Sequence, residues 1–237
     1  IIATADRPPE LHGVGAPQTT NQSALLTGYV RSFADPGAPQ ACLSPRWVRS
    51  LASRLYDAAT GVNPGPVHIN LPFAKPLWDG EPATFEPITT IAQTYREPAR
   101  LSDSAHAILK EALETSKRGV ILAGPIELGP TAQPRSDALI RLRQAVRDLA
   151  EQRDLAIIAE PCSNLRLGGH SATVSHGELL VRNHELKSRL RPDLIIQLGA
   201  YPTSKGLQRW LRTSGAEVIQ IDPWGRWRDP DHVTSGV

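Results

Sequence analysis

Residues 119–124 read GVILAG, a short apolar run that ends on a glycine. Three more runs of this kind follow in the second half of the chain: LAIIAEP at 155–161, DLIIQLG at 193–199 and AEVIQID at 216–222. Strands that are apolar throughout are typical of a parallel sheet with both faces covered by helices. We therefore predict a parallel α/β sheet for the second half of the chain.

Segments with the apolar spacing of helices lie between these strands. Ser102 is a candidate N-cap for a helix over 102–118, and we predict further helices over 136–154 and 204–215. The stretch 177–191 is predicted to be helical or irregular. Ligands of parallel α/β sheets bind beyond the carboxyl ends of the strands. The candidate binding loops are therefore 124–130, 160–169, 199–205 and 222–228.

The first 77 residues form a smaller block. We predict a strand over 1–5, a loop through Gln18, a helical stretch near 21–30 and a helix over 44–60 that Ser44 caps. The run GPVHINLPF at 65–73 predicts a second, buried strand in which His68 is a core histidine with its hydrogen bonds satisfied. Two strands and two helices cannot close a domain, so this block is predicted to be the C-terminal part of one. The prolines that follow indicate a linker.

Composition and charge exclude several classes of function. The 237 residues carry 26 basic and 24 acidic side chains, a balance that gives no support to a nucleic-acid partner. No apolar run is long enough for a membrane span, and no signal peptide opens the sequence, so we expect a cytoplasmic protein. Cys42 and Cys162 lie far apart in the sequence, and we expect both to be buried, reduced thiols.

The sequence contains no methionine and opens directly on the predicted first strand. These two features lead us to expect an internal piece of a longer protein.

The strand-end loops contain only weak signals for common ligand sites. The glycines at 124 and 129 do not form a G-x-G-x-x-G motif, so a strand-to-helix turn is favoured over a phosphate cradle. Asp222 fits a ribose contact or a loop cap, and Arg166 fits an anion site or a solvated side chain. Ser163 lies outside a nucleophile elbow, and the histidines lack metal-ligand spacing.

Lys205 indicates a ligand-binding role more strongly than these loop residues do. It follows Ser204 on the first turn of a predicted helix, where backbone N–H groups favour anions and acidic side chains are common. A lysine at this position indicates a carboxylate or phosphate partner, and an ordinary surface lysine is the alternative.

Five motifs together resemble one family: TADRPPEL at 4–11, GAPQTTNQ at 15–22, GPVHINLPFAKPL at 65–77, EPCSNLR at 160–166 and PTSKGLQRWL at 202–211. In order and approximate spacing they are similar to the 2-succinyl-5-enolpyruvyl-6-hydroxy-3-cyclohexene-1-carboxylate (SEPHCHC) synthases. These are thiamin diphosphate enzymes of menaquinone and phylloquinone biosynthesis. The resemblance implies that 1–77 is the C-terminal part of a pyrimidine-binding α/β domain. It further implies a Pro-rich linker over 78–101 and a Rossmann-like central domain over 102–237.

The resemblance also implies an activity. Family members decarboxylate 2-oxoglutarate on thiamin diphosphate and add the succinyl unit to isochorismate. Arg7, Gln18 and Lys205 match the family's substrate-binding Arg, Gln and Lys. The glutamate that activates the cofactor and the motif that binds Mg²⁺ have no counterpart in this sequence, so the chain alone is expected to be inactive. The complete enzyme is expected to be a homodimer or homotetramer.

Two positions depart from the family pattern, since Gly206 stands where some members have arginine and Pro17 where asparagine is common. Two alternatives remain open: a piece of another thiamin diphosphate enzyme, such as a decarboxylase or acetolactate synthase, and a non-catalytic nucleotide-binding module. ADRPPEL disfavours the first, and the arginines of the strand-end loops, Arg166, Arg226 and Arg228, are the sequence feature that favours the second.

Overall fold

The computed structural model describes residues 1–39, 44–77, 100–127 and 135–237. They belong to two compact units, Ile1–Glu97 and Pro98–Val237. The predicted linker over 78–101 lies almost wholly outside the described residues. Within the described ranges, no helix combines the length and apolar character that a membrane crossing requires.

The first unit contains a parallel sheet of three strands. Its elements in chain order are β1 (Ile2–Asp6), α1 (Gln22–Leu25), β2 (Ser32–Ala34), α2 (Pro45–Thr60) and β3 (Val67–Pro72). The strand order is β1-β3-β2, and Asp6 pairs with Pro72 at the carboxyl end. The carboxyl ends of all three strands therefore meet at one edge, where the loop containing Arg7 begins.

The sequence located β1, α2 and β3 well, and the other two elements of this unit less well. Ser44 caps α2 as predicted, since its hydroxyl accepts a hydrogen bond from the backbone N–H of Trp47 at 3.2 Å. The predicted helix near 21–30 is wrong in length: α1 has four residues, and Gly28 adopts a φ of 87°, which a helix cannot continue through. The strand β2 was missed because three residues show no periodicity.

The second unit contains a sheet of five parallel strands. They are β4 (Gly119–Ala123), β5 (Ala156–Ala159), β6 (Thr173–Val174), β7 (Leu194–Leu198) and β8 (Glu217–Ile221), and they lie in the order β6-β5-β4-β7-β8. The helices of this unit are α3 (Asp103–Thr115), α4 (Arg135–Arg153), α5 (Gly177–Arg182), α6 (His184–Arg189) and α7 (Lys205–Thr213). All strand pairs are parallel, so the predicted α/β fold class is confirmed.

An apolar core lies on each face of this sheet. One face packs Ile121, Ile157 and Ile196 against Ala112 of α3 and Val146 of α4. The other face packs Leu122 and Ile195 against α7, whose Leu207, Trp210 and Leu211 are each no more than 2% exposed. Burial on both faces explains why each central strand reads as a continuous apolar run.

Local signals in the second unit set the helix ends. Ser102 caps α3 by accepting from Ala105 N at 3.2 Å, as predicted. The ambiguous stretch 177–191 is two short helices, because the side chain of Asn183 accepts from Leu186 N and starts α6 anew. Cys162 is exposed, which contradicts the expected burial, while Cys42 lies outside the described residues.

Candidate functional site

The loop after β1 brings two of the three predicted site residues together. Arg7 follows the last residue of β1, and its Nη2 donates to Oε1 of Gln18 at 2.9 Å. Gln18 has a φ of 61°, in the left-handed region that side chains other than glycine seldom adopt. Such a conformation persists only where the surroundings hold it, and it is concentrated at functional sites. The Arg7–Gln18 pair is therefore the first candidate for a ligand-binding site.

The backbone of Arg7 is fixed on both of its sides. Its N–H donates to Oδ1 of Asp6 at 2.8 Å, and its carbonyl oxygen accepts from Nε2 of His12 at 2.8 Å. The Gln22 amide also donates to Asp6 Oδ1, at 3.2 Å. Burial alone raises the pKa of Asp6, but the hydrogen bonds from Asn70, Arg7 and Gln22 and the nearby His12 lower it below its ordinary value. Asp6 is thus an ionised acceptor at the base of this loop.

A buried polar cluster lies behind Asp6. Asn70 donates from Nδ2 to Oδ2 of Asp6 and to Oδ2 of Asp35, both at 3.0 Å. Thr4 donates to Asn70 Oδ1 at 2.8 Å and lies 2.8 Å from His68 Nε2. His68 and Asn70 are fully buried. This cluster was not predicted from the sequence, although T-x-D at 4–6 and H-x-N at 68–70 place polar side chains on one face of adjacent strands.

Lys205 lies in the second unit as the first residue of α7, and its side chain is exposed. The structure shows no hydrogen bond or ion pair to its ammonium group from the described residues. The N-terminus of α7 already has an anion, because the buried carboxylate of Glu160 accepts from the N–H groups of Thr203 and Ser204 at 2.9 and 2.8 Å. Whether Lys205 shares a site with Arg7 and Gln18 stays a prediction.

The structure favours the loop-cap interpretation of Asp222. Its carboxylate accepts from Trp224 N at 2.8 Å and pairs with Arg226 at 3.1 Å, and Glu127 bridges Arg226 and Arg228. Burial raises the pKa of Asp222, and the Arg226 guanidinium and backbone N–H groups lower it below its ordinary value. The hydrogen bond from Arg226 likewise lowers the pKa of Glu127. These arginines are thus paired with the protein's own carboxylates.

Backbone fills the crevice where the strand order reverses, between β4 and β7. Gly124 N donates to Leu198 O at 3.1 Å, and Ala200 N donates to Pro125 O at 2.8 Å. A Cβ on Gly124 would lie 2.1 Å from Ala200 O, so only glycine permits this approach. Doubly wound sheets bind nucleotides in this crevice. The contact therefore disfavours a nucleotide at this place.

The remaining predicted features give weaker sites. Arg166 is exposed, and its Nε donates to the carbonyl of Ala159 at 2.8 Å. Gly206 accommodates the carboxylate of Glu178, since a Cβ there would lie 2.6 Å from Glu178 Oε1. An arginine at position 206 would have to displace Glu178. Within the parts of the chain that the structure describes, no group of three or more His, Cys, Asp or Glu side chains could hold a metal ion.

Comparisons with known proteins add to this geometry. A scan against models of protein families finds no match. The SEPHCHC synthase of Geobacillus kaustophilus is 34% identical over 238 residues, which cover 97% of this chain and 39% of the relative. The chain is similar to the SEPHCHC synthases over nearly its whole length. The synthase of Halorubrum lacusprofundi is 35% identical over 264 residues, which cover all of this chain and 41% of the relative.

The comparisons confirm the resemblance that the five motifs indicated. The chain spans about two fifths of the length of the SEPHCHC synthases it matches. Solved thiamin diphosphate enzymes share its fold. The 4-hydroxybenzoylformate decarboxylase of Rhodococcus jostii matches with a TM-score of 0.54 over 99% of this chain and 42% of that structure, at 17% identity. Benzoylformate decarboxylase of Polynucleobacter necessarius matches with a TM-score of 0.52 over 99% of this chain and 41% of that structure, also at 17% identity.

Proposed function

We propose that this chain is part of a thiamin diphosphate-dependent SEPHCHC synthase, a transferase that takes 2-oxoglutarate and isochorismate as substrates in menaquinone or phylloquinone biosynthesis. The observation that supports it most is the Arg7–Gln18 pair, joined at 2.9 Å at the end of β1 in a chain 32–36% identical to these synthases over nearly its whole length. Residues 1–77 then belong to the pyrimidine-binding domain and residues 102–237 to the central domain.

In this proposal the side chains of the chain bind and orient substrate carboxylates. Arg7 uses one Nη2 hydrogen bond to Gln18, which leaves the rest of its guanidinium to pair with a carboxylate. Gln18 accepts that bond through Oε1, so its Nε2 is the group that donates to the same ligand. Lys205 is the third residue to which the resemblance gives a substrate-binding role, and its ammonium group supplies a compact positive charge. Three groups of this kind suit substrates that carry several carboxylates.

The cofactor supplies the carbanion chemistry of decarboxylation and addition when it is bound. The described residues offer no donor set for its Mg²⁺. In the proposal, the activating glutamate and the metal ligands come from other parts of a longer protein, which assembles as a homodimer or homotetramer. The 237 residues alone are then inactive.

A chimera tests this proposal. The chain replaces the aligned stretch of the Geobacillus kaustophilus synthase, and turnover of 2-oxoglutarate with isochorismate is measured. We expect activity in the chimera and none in the isolated chain. Arg7→Ala and Lys205→Ala should each lower kcat/KM about tenfold or more, the usual cost of a lost charge-assisted hydrogen bond.

Arg46→Ala is the matched control, because Arg46 is an exposed arginine in the first turn of α2. Its kcat/KM should equal that of the unsubstituted chimera. An active chimera in which Arg7→Ala and Lys205→Ala behave like this control would contradict the assigned roles.

A further inference from the structure

The buried cluster behind Asp6 has a fixed direction of hydrogen-bond donation. Both N–H groups of the Asn70 amide point to carboxylate oxygens, one of Asp6 and one of Asp35, each at 3.0 Å. The opposite orientation of this amide would place its oxygen against two carboxylates, which can only accept. Asn70 therefore presents Oδ1 to Thr4.

The direction continues through Thr4 to His68. The Thr4 hydroxyl has one proton, and it donates that proton to Asn70 Oδ1 at 2.8 Å. The 2.8 Å contact with His68 Nε2 must therefore be one in which Thr4 accepts and the imidazole donates. His68 then carries its proton on Nε2, and its buried Nδ1 has no partner among the described residues. Donation runs from His68 through Thr4 and Asn70 to the carboxylates.

Asp6 connects this cluster to the loop. Its Oδ2 accepts from Asn70, while its Oδ1 accepts from the N–H of Arg7 at 2.8 Å and from the amide of Gln22 at 3.2 Å. We propose that Asp6 is the positioning residue for the Arg7–Gln18 pair, and that His68, Thr4 and Asn70 hold its carboxylate in the orientation that pair needs. This inference rests on the proposed role of Arg7 and Gln18 in substrate binding.

Stability alone does not account for this arrangement. Fully buried polar groups such as His68 and Asn70 are costly to desolvate, and a well-packed apolar set is often at least as stable. A satisfied polar network, in contrast, selects one geometry of its members. Here both side-chain N–H groups of Asn70 and both oxygens of Asp6 are used, and Asp6 Oδ1 fixes the backbone of Arg7 by accepting from its N–H. His68 Nδ1, at the far end of the cluster from Arg7, is the ring nitrogen that has no partner among the described residues.

The first test is the tautomer of His68 in the native chain. A long-range ¹H–¹⁵N spectrum of the histidine rings, assigned with the His68→Gln variant, reports which nitrogen carries the proton. We expect Nε2 to carry a proton. A ring with its proton on Nδ1 and none on Nε2 would reverse the donor order and overturn the proposal.

The second test removes the acceptor of the Arg7 N–H. In Asp6→Ala, amide hydrogen exchange at Arg7 should accelerate at least about tenfold, the effect of losing a hydrogen bond to a charged group. The side-chain amide signals of Gln18 should move to their positions in Arg7→Ala. The control is Glu10→Ala, an exposed acidic residue of the same loop, which should leave both readouts unchanged.

Unchanged Arg7 and Gln18 signals in a folded Asp6 variant would also overturn the proposal. If Asp6→Ala does not fold, Asp6→Asn replaces it, because it keeps the shape and weakens the acceptor, and exchange at Arg7 should again accelerate. These measurements contain no substrate. If Arg7 and Gln18 bind no carboxylate, the proposed function fails while the tautomer and exchange results still decide the positioning role.

Discussion

The two sheets of this chain use their strands in opposite ways. In the first unit, one face of the three-stranded sheet carries a polar cluster that ends on Asp6, next to the exposed Arg7–Gln18 pair. The sheet of the second unit has an apolar core on each face, and its strand ends are closed by the chain's own carboxylates, Glu160 and Asp222. The described strand ends at Glu160 and Asp222 are thus satisfied by the chain's own groups, whereas the first sheet orients an Arg–Gln pair that has hydrogen-bond donors left for a ligand.

The largest expected effect comes from creating a cavity in the apolar core of the second sheet. Trp210→Ala removes a side chain that is 2% exposed and should lower the free energy of unfolding of this unit by about 3–5 kcal/mol. Hydrogen exchange of the β7 amides measures this. Trp227, 67% exposed, is the control, and Trp227→Ala should change exchange little. Equal effects at both positions would contradict the role of α7 in closing this face.

A smaller effect is expected where the second sheet closes its own strand ends. Glu160→Gln keeps the shape of the side chain but removes the charge that accepts from Thr203 N and Ser204 N. Hydrogen bonds to charged groups contribute roughly 1.5–3 kcal/mol, so the unit should lose about 2 kcal/mol of unfolding free energy. Glu217→Gln, at an exposed glutamate, should be neutral by the same β7 exchange measurement. A neutral Glu160→Gln would show that α7 does not need this anion.

The pH dependence of the second unit sharpens the comparison. The hydrogen bond from the Ser116 hydroxyl, together with the N–H groups of Lys117 and Arg118, lowers the pKa of Asp193 to about 2, against a tendency of burial to raise it. A pKa depressed on folding gives stability that is present above the unfolded value near 3.8 and is lost as pH falls towards about 2. The free energy of unfolding should therefore fall less steeply with decreasing pH in Asp193→Asn than in the native chain over this range. An exposed aspartate, Asp103→Asn, serves as control, and equal slopes in all three proteins would contradict the assignment.

The smallest expected effect concerns Gly206. Alanine there gains about 1 kcal/mol of helix propensity, but its Cβ must displace the Glu178 carboxylate, which bonds Arg182 Nε at 2.5 Å. Gly206→Ala should be close to neutral in the native chain and stabilising by about 1 kcal/mol in Glu178→Ala. Thermal unfolding of the four proteins of this cycle measures the coupling. Identical effects in both backgrounds would show that Glu178 does not restrict this position.

The sequence was most informative where one local signal determines the structure. The apolar runs located all four longer strands of the second unit, and Ser44 and Ser102 located two helix starts. The strands β2 and β6 have three and two residues, so tertiary pairing rather than periodicity creates them.

The candidate site was predictable only in part. Motif resemblance selected Arg7 and Gln18, and the structure brings their side chains into contact. It did not select Asp6 or Asn70, because their role depends on a pairing between strands that are 64 residues apart in sequence. His68 was expected to be a satisfied core histidine, yet only its Nε2 has a partner in the described structure. Long-range geometry of this kind cannot be obtained from spacing along one strand.

The central claim is that the Arg7–Gln18 pair binds a substrate carboxylate. The most direct measurement is a titration of the chain with 2-oxoglutarate, and separately with isochorismate, observed through the side-chain ¹⁵N signals of Arg7 and Gln18. We predict saturable shifts of both residues with at least one substrate. The Gln18 shift should be lost in Arg7→Ala and retained in Arg46→Ala. Absence of such shifts with both substrates, or a Gln18 shift that persists in Arg7→Ala, would contradict the claim.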